Sequence, residues 1–264
     1  MLKAIEIFKK YNGSATKKLG QNYIFSEDLN EKIVALAGEL TNMRVLEIGP
    51  GPGGLTTQIL KQNPKSLTLI ELDKTWSSAW LDIAEDYPNI HVINQDILKT
   101  TLDMEIDIVI SNLPYNIASQ ILVKLLPNCY NYKKLVLMFQ KEMADRICGV
   151  PNTKDYGRLS VLAQERANIK KAITLSPNCF TPAPKVFSTV LEFTPHAYSN
   201  ATNFSALNKL TSIAFANRRK QVIKALSAAY NKDIKSIFAE LNIRDDARAE
   251  QITIQQYVNL CTLL

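Results

Sequence analysis

At 264 residues, with 46% hydrophobic and 21% charged residues, the chain can bury a full core, as one large domain or as a large domain with a small companion. Two histidines and four widely spaced cysteines (Cys129, Cys148, Cys179, Cys261) offer no local metal-ligand cluster, and no stretch is apolar enough for a signal peptide or a membrane span. Reduced thiols, a cytoplasmic location and no metal are expected. The net charge of +6 is unevenly spread: residues 1–20 carry +4, residues 21–110 carry −8 and residues 111–264 carry +10. Basic flanks around an acidic section point to a polyanion gripped outside a small-molecule site, although lysine-rich surfaces also serve solubility.

In chain order, Lys9, Lys10, Lys17 and Lys18 surround a Gly13-Ser14 break and read as a basic arm. Its end, Leu19 to Phe25, is too apolar for a free tail and is expected to pack. Ser26-Glu27-Asp28 opens a helix with an apolar face of Leu29, Ile33, Leu36, Ala37 and Leu40. A strand over 43–48 runs into Gly49-Pro50-Gly51-Pro52-Gly53-Gly54, which holds four of the nine glycines, and then into a helix over 55–62. The spacing of Gly49, Gly51 and Gly54 fits a nucleotide-binding turn, without separating nicotinamide from another adenosine-containing cofactor. A second strand, 66–72, brings Glu71 to its tip, 22 residues after Gly49, where a carboxylate can take both ribose hydroxyls or stand as a solvated strand end.

A helix over 75–85 and a strand over 90–94 follow. Asp96 can accept from an exocyclic adenine amine or simply cap a turn. The strand from Ile108 ends in Ser111-Asn112-Leu113-Pro114-Tyr115, where proline forces extended geometry on Leu113 and stops the strand. Asn112 and Tyr115 are thus presented where open α/β sheets place their ligands. The amide and the backbone carbonyls can accept from an exocyclic amine, and the ring can stack on a base. A strand-ending turn with a half-buried tyrosine is the plainer alternative.

Helices over 117–126, 141–148 and 158–167, and strands over 133–140, 169–175 and 189–193, complete the half. The proline-rich link between the last two strands could hold Phe180 against a base or plug the core with it. Residues 195–204 are expected to be the domain boundary, with helices only beyond it. In that stretch Arg218-Arg219-Lys220, beside Phe215, suit phosphate contacts or form a solvated helix end.

Taken together, Lys18-Leu19-Gly20-Gln21-Asn22, Leu46-Glu47-Ile48-Gly49-Pro50-Gly51, Ile70-Glu71-Leu72-Asp73, Gln95-Asp96, Asn112-Leu113-Pro114-Tyr115-Asn116, Tyr156-Gly157-Arg158-Leu159-Ser160-Val161, Phe180-Thr181-Pro182-Ala183-Pro184-Lys185-Val186 and Arg218-Arg219-Lys220 resemble the ribosomal RNA adenine N6,N6-dimethyltransferase family, the type whose bacterial housekeeping member determines kasugamycin sensitivity. Five positions in three stretches depart from its usual pattern: Tyr23-Ile24 where Phe-Leu is usual, Phe187 where Asp is common, and Ile223-Lys224 where Arg and Asn are frequent.

The resemblance implies a Rossmann-like class I methyltransferase sheet with its last strand antiparallel (residues 1–194) and a small all-helical RNA-binding domain (195–264). S-adenosyl-L-methionine is then the cofactor, lined by Asn22, Ile24, Gly49, Gly51, Glu71, Asp96 and Asn112. Asn112, Leu113, Pro114, Tyr115 and Phe180 carry the chemistry, and Lys17, Lys18, Arg158, Lys185, Arg218, Arg219 and Lys220 the RNA contacts. The implied products are two adjacent dimethyladenosines in the 3′-terminal hairpin loop of 16S rRNA, made on the small subunit or its precursor by a monomer. Rival readings are a large-subunit rRNA adenine dimethylase conferring antibiotic resistance, a non-catalytic RNA-binding assembly factor, and a nicotinamide oxidoreductase.

Overall fold

Aliphatic runs such as Ile108-Val109-Ile110 and Leu135-Val136-Leu137 have no polar alternation, so each strand needs cover on both faces. A computed structural model of the chain describes residues 2–16, 19–197 and 202–264. The chain divides into two compact units: residues 1–124, 131–144 and 170–195 in one, and residues 125–130, 145–169 and 196–264 in the other.

The first unit is built on a seven-stranded sheet. Its strands are β1 (Arg44–Ile48), β2 (Ser66–Glu71), β3 (Ile90–Asn94), β4 (Ile108–Asn112), β5 (Lys134–Gln140), β6 (Ala167–Leu175) and β7 (Ser188–Pro195), in the order β3-β2-β1-β4-β5-β7-β6. Strands β1 to β5 pair in parallel, and β7 runs antiparallel to β5. This is the class I methyltransferase arrangement. The order reverses direction beside β1, with β2 on one side and β4 on the other, and such a switch point opens a crevice at the carboxyl ends of the strands. At the opposite end, Arg44 clamps β1 to the start of β4: its backbone N–H and Nε donate to Asp107 Oδ2 at 2.9 and 2.8 Å. That guanidinium holds the Asp107 carboxyl well below the usual carboxylate range.

Four helices of this unit carry recognisable start signals or packing faces. Helix α2 (Glu27–Ala35) is capped by Ser26, whose hydroxyl accepts from Leu29 N–H, and α4 (Lys74–Ala84) by Asp73, which accepts from Thr75 N–H. Helix α3 (Gly54–Lys61) follows the glycine turn. The N-terminus differs from the sequence expectation. Lys9 and Lys10 do not belong to a free basic arm but close a helix, α1 (Ala4–Lys10), which buries Ala4 and Ile7. The cause is tertiary: Phe8 stacks on Trp76 with ring centroids 5.8 Å apart and meets Tyr23 and Phe25 edge-on. Helix α5 (Ala118–Leu125) closes the crossover after β4.

Helix α6 (Lys141–Ile147) starts immediately after β5. The second unit gathers α7 (Arg158–Arg166), α8 (Phe204–Phe215), α9 (Val222–Ala229), α10 (Ile234–Glu240) and α11 (Ile254–Leu263). Its division from the first is not a single cut near residue 195, because residues 125–130 and 145–169 pack with the C-terminal helices. Tyr156 donates to Ile252 O at 3.0 Å, Tyr257 donates to Ala249 O at 2.8 Å, and Phe215 lies against both rings. Among the described residues no helix is long and apolar enough to cross a membrane.

Candidate active site

The glycine turn after β1 has a backbone that larger residues resist. Gly51 sits at φ +53°, and a Cβ there would come within 2.8 Å of the Tyr23 ring; Gly53, at φ +91°, would drive a Cβ to 2.3 Å from Trp80. Two tryptophans hold this region from below. Trp80 Nε1 donates to Gly51 O and Trp76 Nε1 to the Tyr23 hydroxyl, both at 2.8 Å. Neither tryptophan was assigned a role from the sequence, yet the chain has only two and both lie one helical turn apart on α4. Two buried indoles, each needing an acceptor, were the available signal.

The turn borders a cavity of about 190 Å³ at the carboxyl ends of β1, β2 and β4. Asn22, Ile24, Gly49, Gly51, Glu71, Asp96 and Asn112 all line it, as do Leu113, Pro114 and Tyr115. Glu71 is 5% exposed. Its Oε2 accepts from Gly51 N–H at 3.1 Å and its Oε1 from Asp73 N–H at 2.8 Å. Each oxygen therefore keeps a lone pair for a further donor. Burial raises the Glu71 pKa, against the pull of those backbone donors. Asp96 accepts from Leu98 N–H through Oδ1, the turn-capping role, while still facing the cavity.

Asn22 and Asn112 meet: Asn112 Nδ2 donates to Asn22 O at 2.9 Å. Ser111, next in β4, donates to Ile48 O at 2.6 Å and fixes the end of β4 against β1. The Tyr115 hydroxyl lies 2.5 Å from Ser188 Oγ, and burial raises the phenol's pKa, which keeps it neutral at physiological pH. Asn30, which has no role assigned from the sequence, also lines the cavity and donates to Ile24 O at 2.9 Å.

Glu47, too, has no role assigned from the sequence. It lies in β1, 2% exposed, lines the cavity, and its Oε2 has no hydrogen-bond partner among the described residues. Burial pushes its pKa up to about 8, with the charge of Glu71 adding to the push. It sits inside an aliphatic strand, and only the folded structure shows that it lines the crevice.

Phe180 corrects an expectation. It does not line the cavity; it is 4% exposed and packs in the hydrophobic core, on a loop pinned by reciprocal Tyr23–Thr181 backbone hydrogen bonds of 2.9 and 2.8 Å. The three-proline link turns the ring inward, so in this structure it plugs the core and offers no stacking face.

The expected RNA contacts fall into three groups. Lys17 and Lys18 lie outside the described residues. Lys185, Arg219 and Lys220 are exposed. Arg158 and Arg218 each give part of the guanidinium to contacts within the helical unit. Arg158 Nη2 donates to Asn208 Oδ1 at 2.5 Å, and Arg218 Nη2 donates to Thr153 O at 2.9 Å while its Nε lies 3.7 Å from Glu250.

Against known proteins, the family model for ribosomal RNA adenine dimethylase matches residues 12–264. The chain belongs to the ribosomal RNA adenine dimethylase family. This dimethylase is 40% identical over 254 residues to the ribosomal RNA small subunit methyltransferase A of Wolbachia sp. subsp. Drosophila simulans, covering 94% of this chain and 93% of the relative. The protein of the same name from Anaplasma phagocytophilum is 39% identical over 257 residues, covering 94% of each chain. Among solved structures, a dimethyladenosine transferase from Plasmodium falciparum superposes with a TM-score of 0.78 at 25% identity, over 90% of this chain and 95% of that one. The 23S rRNA methyltransferase ErmE shares the fold, with a TM-score of 0.68 at 21% identity, over 91% of this chain and 98% of that one. The chain is therefore an enzyme, an rRNA adenine N6,N6-dimethyltransferase.

The donor set of the cavity fits S-adenosylmethionine, the cofactor that the fold implies. Three carboxyl groups line it, those of Glu47, Glu71 and Asp96, and among the described lining residues there is no lysine, arginine or histidine. Such a lining suits a ribose and positive charge. A dinucleotide pyrophosphate would meet buried carboxylates instead of cations. The unsatisfied Glu47 oxygen likewise suits a ligand that brings a donor.

Proposed function

We propose that this dimethylase uses S-adenosyl-L-methionine to dimethylate N6 of two adjacent adenosines in the 3′-terminal hairpin loop of 16S rRNA. It works in the cytoplasm, as a monomer, on the small ribosomal subunit or its precursor. The relatives' names support the small subunit as target. The observation that carries the chemistry is the Asn112–Asn22 hydrogen bond, because it commits the amide nitrogen of Asn112 to the protein and leaves Oδ1 as an acceptor at the cavity.

The unit of residues 1–124, 131–144 and 170–195 acts as the methyltransferase domain and the helical unit as the RNA-binding domain, the latter through Arg219 and Lys220. Glu71 takes the ribose hydroxyls on its remaining lone pairs, Asp96 accepts from the adenine amine of the cofactor, and Asn22, Ile24, Gly49 and Gly51 complete that half of the site. The bound cofactor supplies a methyl group already activated by a positively charged sulfur. The adenine N6 lone pair is delocalised into its ring, so the work left to the protein is alignment, which can contribute roughly 7–11 kcal/mol.

Asn112 Oδ1 and the backbone carbonyl of Leu113 or Pro114 accept the two N6 hydrogens and localise the lone pair on nitrogen. Tyr115 stacks on the base turned out of its strand; such stacking contributes about 1–3 kcal/mol per base. Tyr115 stays neutral and bonded to Ser188, which leaves it no part as a base. Phe180 acts from behind, as the core residue that holds the loop before β7. The N6 proton leaves to water after transfer.

The test is transfer of labelled methyl groups from S-adenosylmethionine to small and large subunits assayed separately, followed by mapping of the labelled bases. Label confined to two neighbouring adenosines near the 3′ end of 16S rRNA is the expected result. Label in 23S rRNA alone overturns the small-subunit assignment.

A further inference from the structure

Large apolar side chains on the surface are few, and two of them are consecutive. Val186 is 42% and Phe187 50% exposed, directly after Lys185 and directly before β7. Phe187 is not on a loose loop. Its carbonyl accepts from Lys141 N–H at 2.8 Å, and the next residue, Ser188, is paired with Gln140 in the β5–β7 ladder. Side chains alternate along an extended segment. Ser188 is buried and meets Tyr115 at the cavity, while Phe187 is turned out to solvent on the same support. An outward aromatic thus stands one residue from Ser188, the hydrogen-bond partner of the cavity-lining Tyr115.

The surroundings select the kind of partner. From Ser176 to Leu191 the chain has no aspartate or glutamate, and Lys185 makes no ion pair among the described residues. An exposed ring with a neighbouring unpaired cation, on a segment without acidic residues, is the combination that single-stranded nucleic acid uses: base on ring, phosphate on cation.

We propose that Phe187 is a stacking face for a nucleobase of the rRNA strand next to the adenosine being methylated, with Lys185 meeting the adjoining phosphate. The inference rests on reading the neighbouring cavity as the adenosine site. It assigns Phe187 to positioning of the strand, so its effect falls on substrate capture and leaves the chemical step alone. Leucine preserves the apolar surface but not the flat ring; tyrosine and tryptophan preserve the ring.

The experiment measures methyl transfer to unmodified small subunits by the full chain and by Phe187→Ala, Phe187→Leu, Phe187→Tyr and Phe187→Trp. Phe187→Ala and Phe187→Leu are expected to raise KM for subunits about tenfold, with kcat and S-adenosylmethionine affinity unchanged. The Tyr and Trp variants are expected to stay near the parent. A Leu variant that matches the parent overturns stacking and makes the residue an apolar contact for a protein of the subunit. An unchanged KM in the Ala variant removes Phe187 from recognition altogether. Methyl transfer by the parent to large subunits alone overturns the proposed substrate, and the same variants assayed there then decide Phe187 independently.

Discussion

The side-chain nitrogen of Asn112 donates to the backbone carbonyl of Asn22 at 2.9 Å, and this bond fixes which end of the amide faces the cavity. The two residues are ninety apart in sequence, so the acceptor at the end of β4 is oriented by the N-terminal segment. Asn112→Ala is expected to lower kcat by about 10²–10³-fold, the usual loss for one positioned hydrogen-bonding group. Asn112→Asp is expected to do no better, since its oxygen would face the Asn22 carbonyl. Single-turnover rates with the folded variants, checked by circular dichroism, measure this; an active Ala variant would mean that Asn112 merely ends a strand.

Tyr115 separates stacking from hydroxyl chemistry. Tyr115→Phe loses only the Ser188 contact and is expected to keep substantial activity, whereas Tyr115→Ala is expected to lose most of it. A folded but inactive Phe variant would show that the phenolic oxygen takes part in the reaction.

Glu71 has two duties, and two measurements tell them apart. Glu71→Ala removes the ribose acceptor and also strands the Gly51 and Asp73 N–H groups, each left unpaired at a cost of about 1–3 kcal/mol. Calorimetric titration is expected to show weaker S-adenosylmethionine binding, and thermal unfolding without ligand is expected to show a lower Tm. Unchanged affinity in a folded variant would remove Glu71 from the cofactor site.

Glu47 makes the ligand-free protein sensitive to alkali. Its pKa rises from 4.5 to about 8 on folding, so between those values the folded chain holds a proton that the unfolded chain has released. Stability is then greatest below about pH 4.5 as far as this group is concerned, falls as pH rises through the window, and levels off above about pH 8. In Glu47→Gln this contribution disappears, so the Tm of the variant relative to the parent is expected to climb with pH. A constant difference between the two melting curves across the window would show that Glu47 is ionised in the fold.

The basic run of the second unit is expected to split. Arg219→Ala with Lys220→Ala should lower the log–log salt slope of RNA binding by up to about two units, with cofactor affinity intact. Arg218→Ala adds a stability loss, because Arg218 donates to Thr153 O and faces Glu250. Equal salt slopes for parent and double variant would make Arg219 and Lys220 a solvated helix end.

Some of this was determined by the sequence alone. Glycine spacing, the strand-tip acid Glu71 and the Asn112-Leu113-Pro114-Tyr115 turn are local signals, because turn geometry and strand termination depend on residues a few positions apart. The sheet class was what the resemblance of these stretches to a known family implied, and the residues they single out line one cavity. Tertiary structure alone decided which face each ambiguous side chain presents. Phe180 could stack or plug, and the inward course of its loop made it core. Arg158 and Arg218 read as RNA contacts, and only the fold shows that one N–H group of each is held by a distant partner, Asn208 or Thr153. Lys9 and Lys10 read as an arm until Phe8 found Trp76 across the fold. In each case the deciding contact joins residues far apart in sequence, and such contacts exist only once the chain has folded.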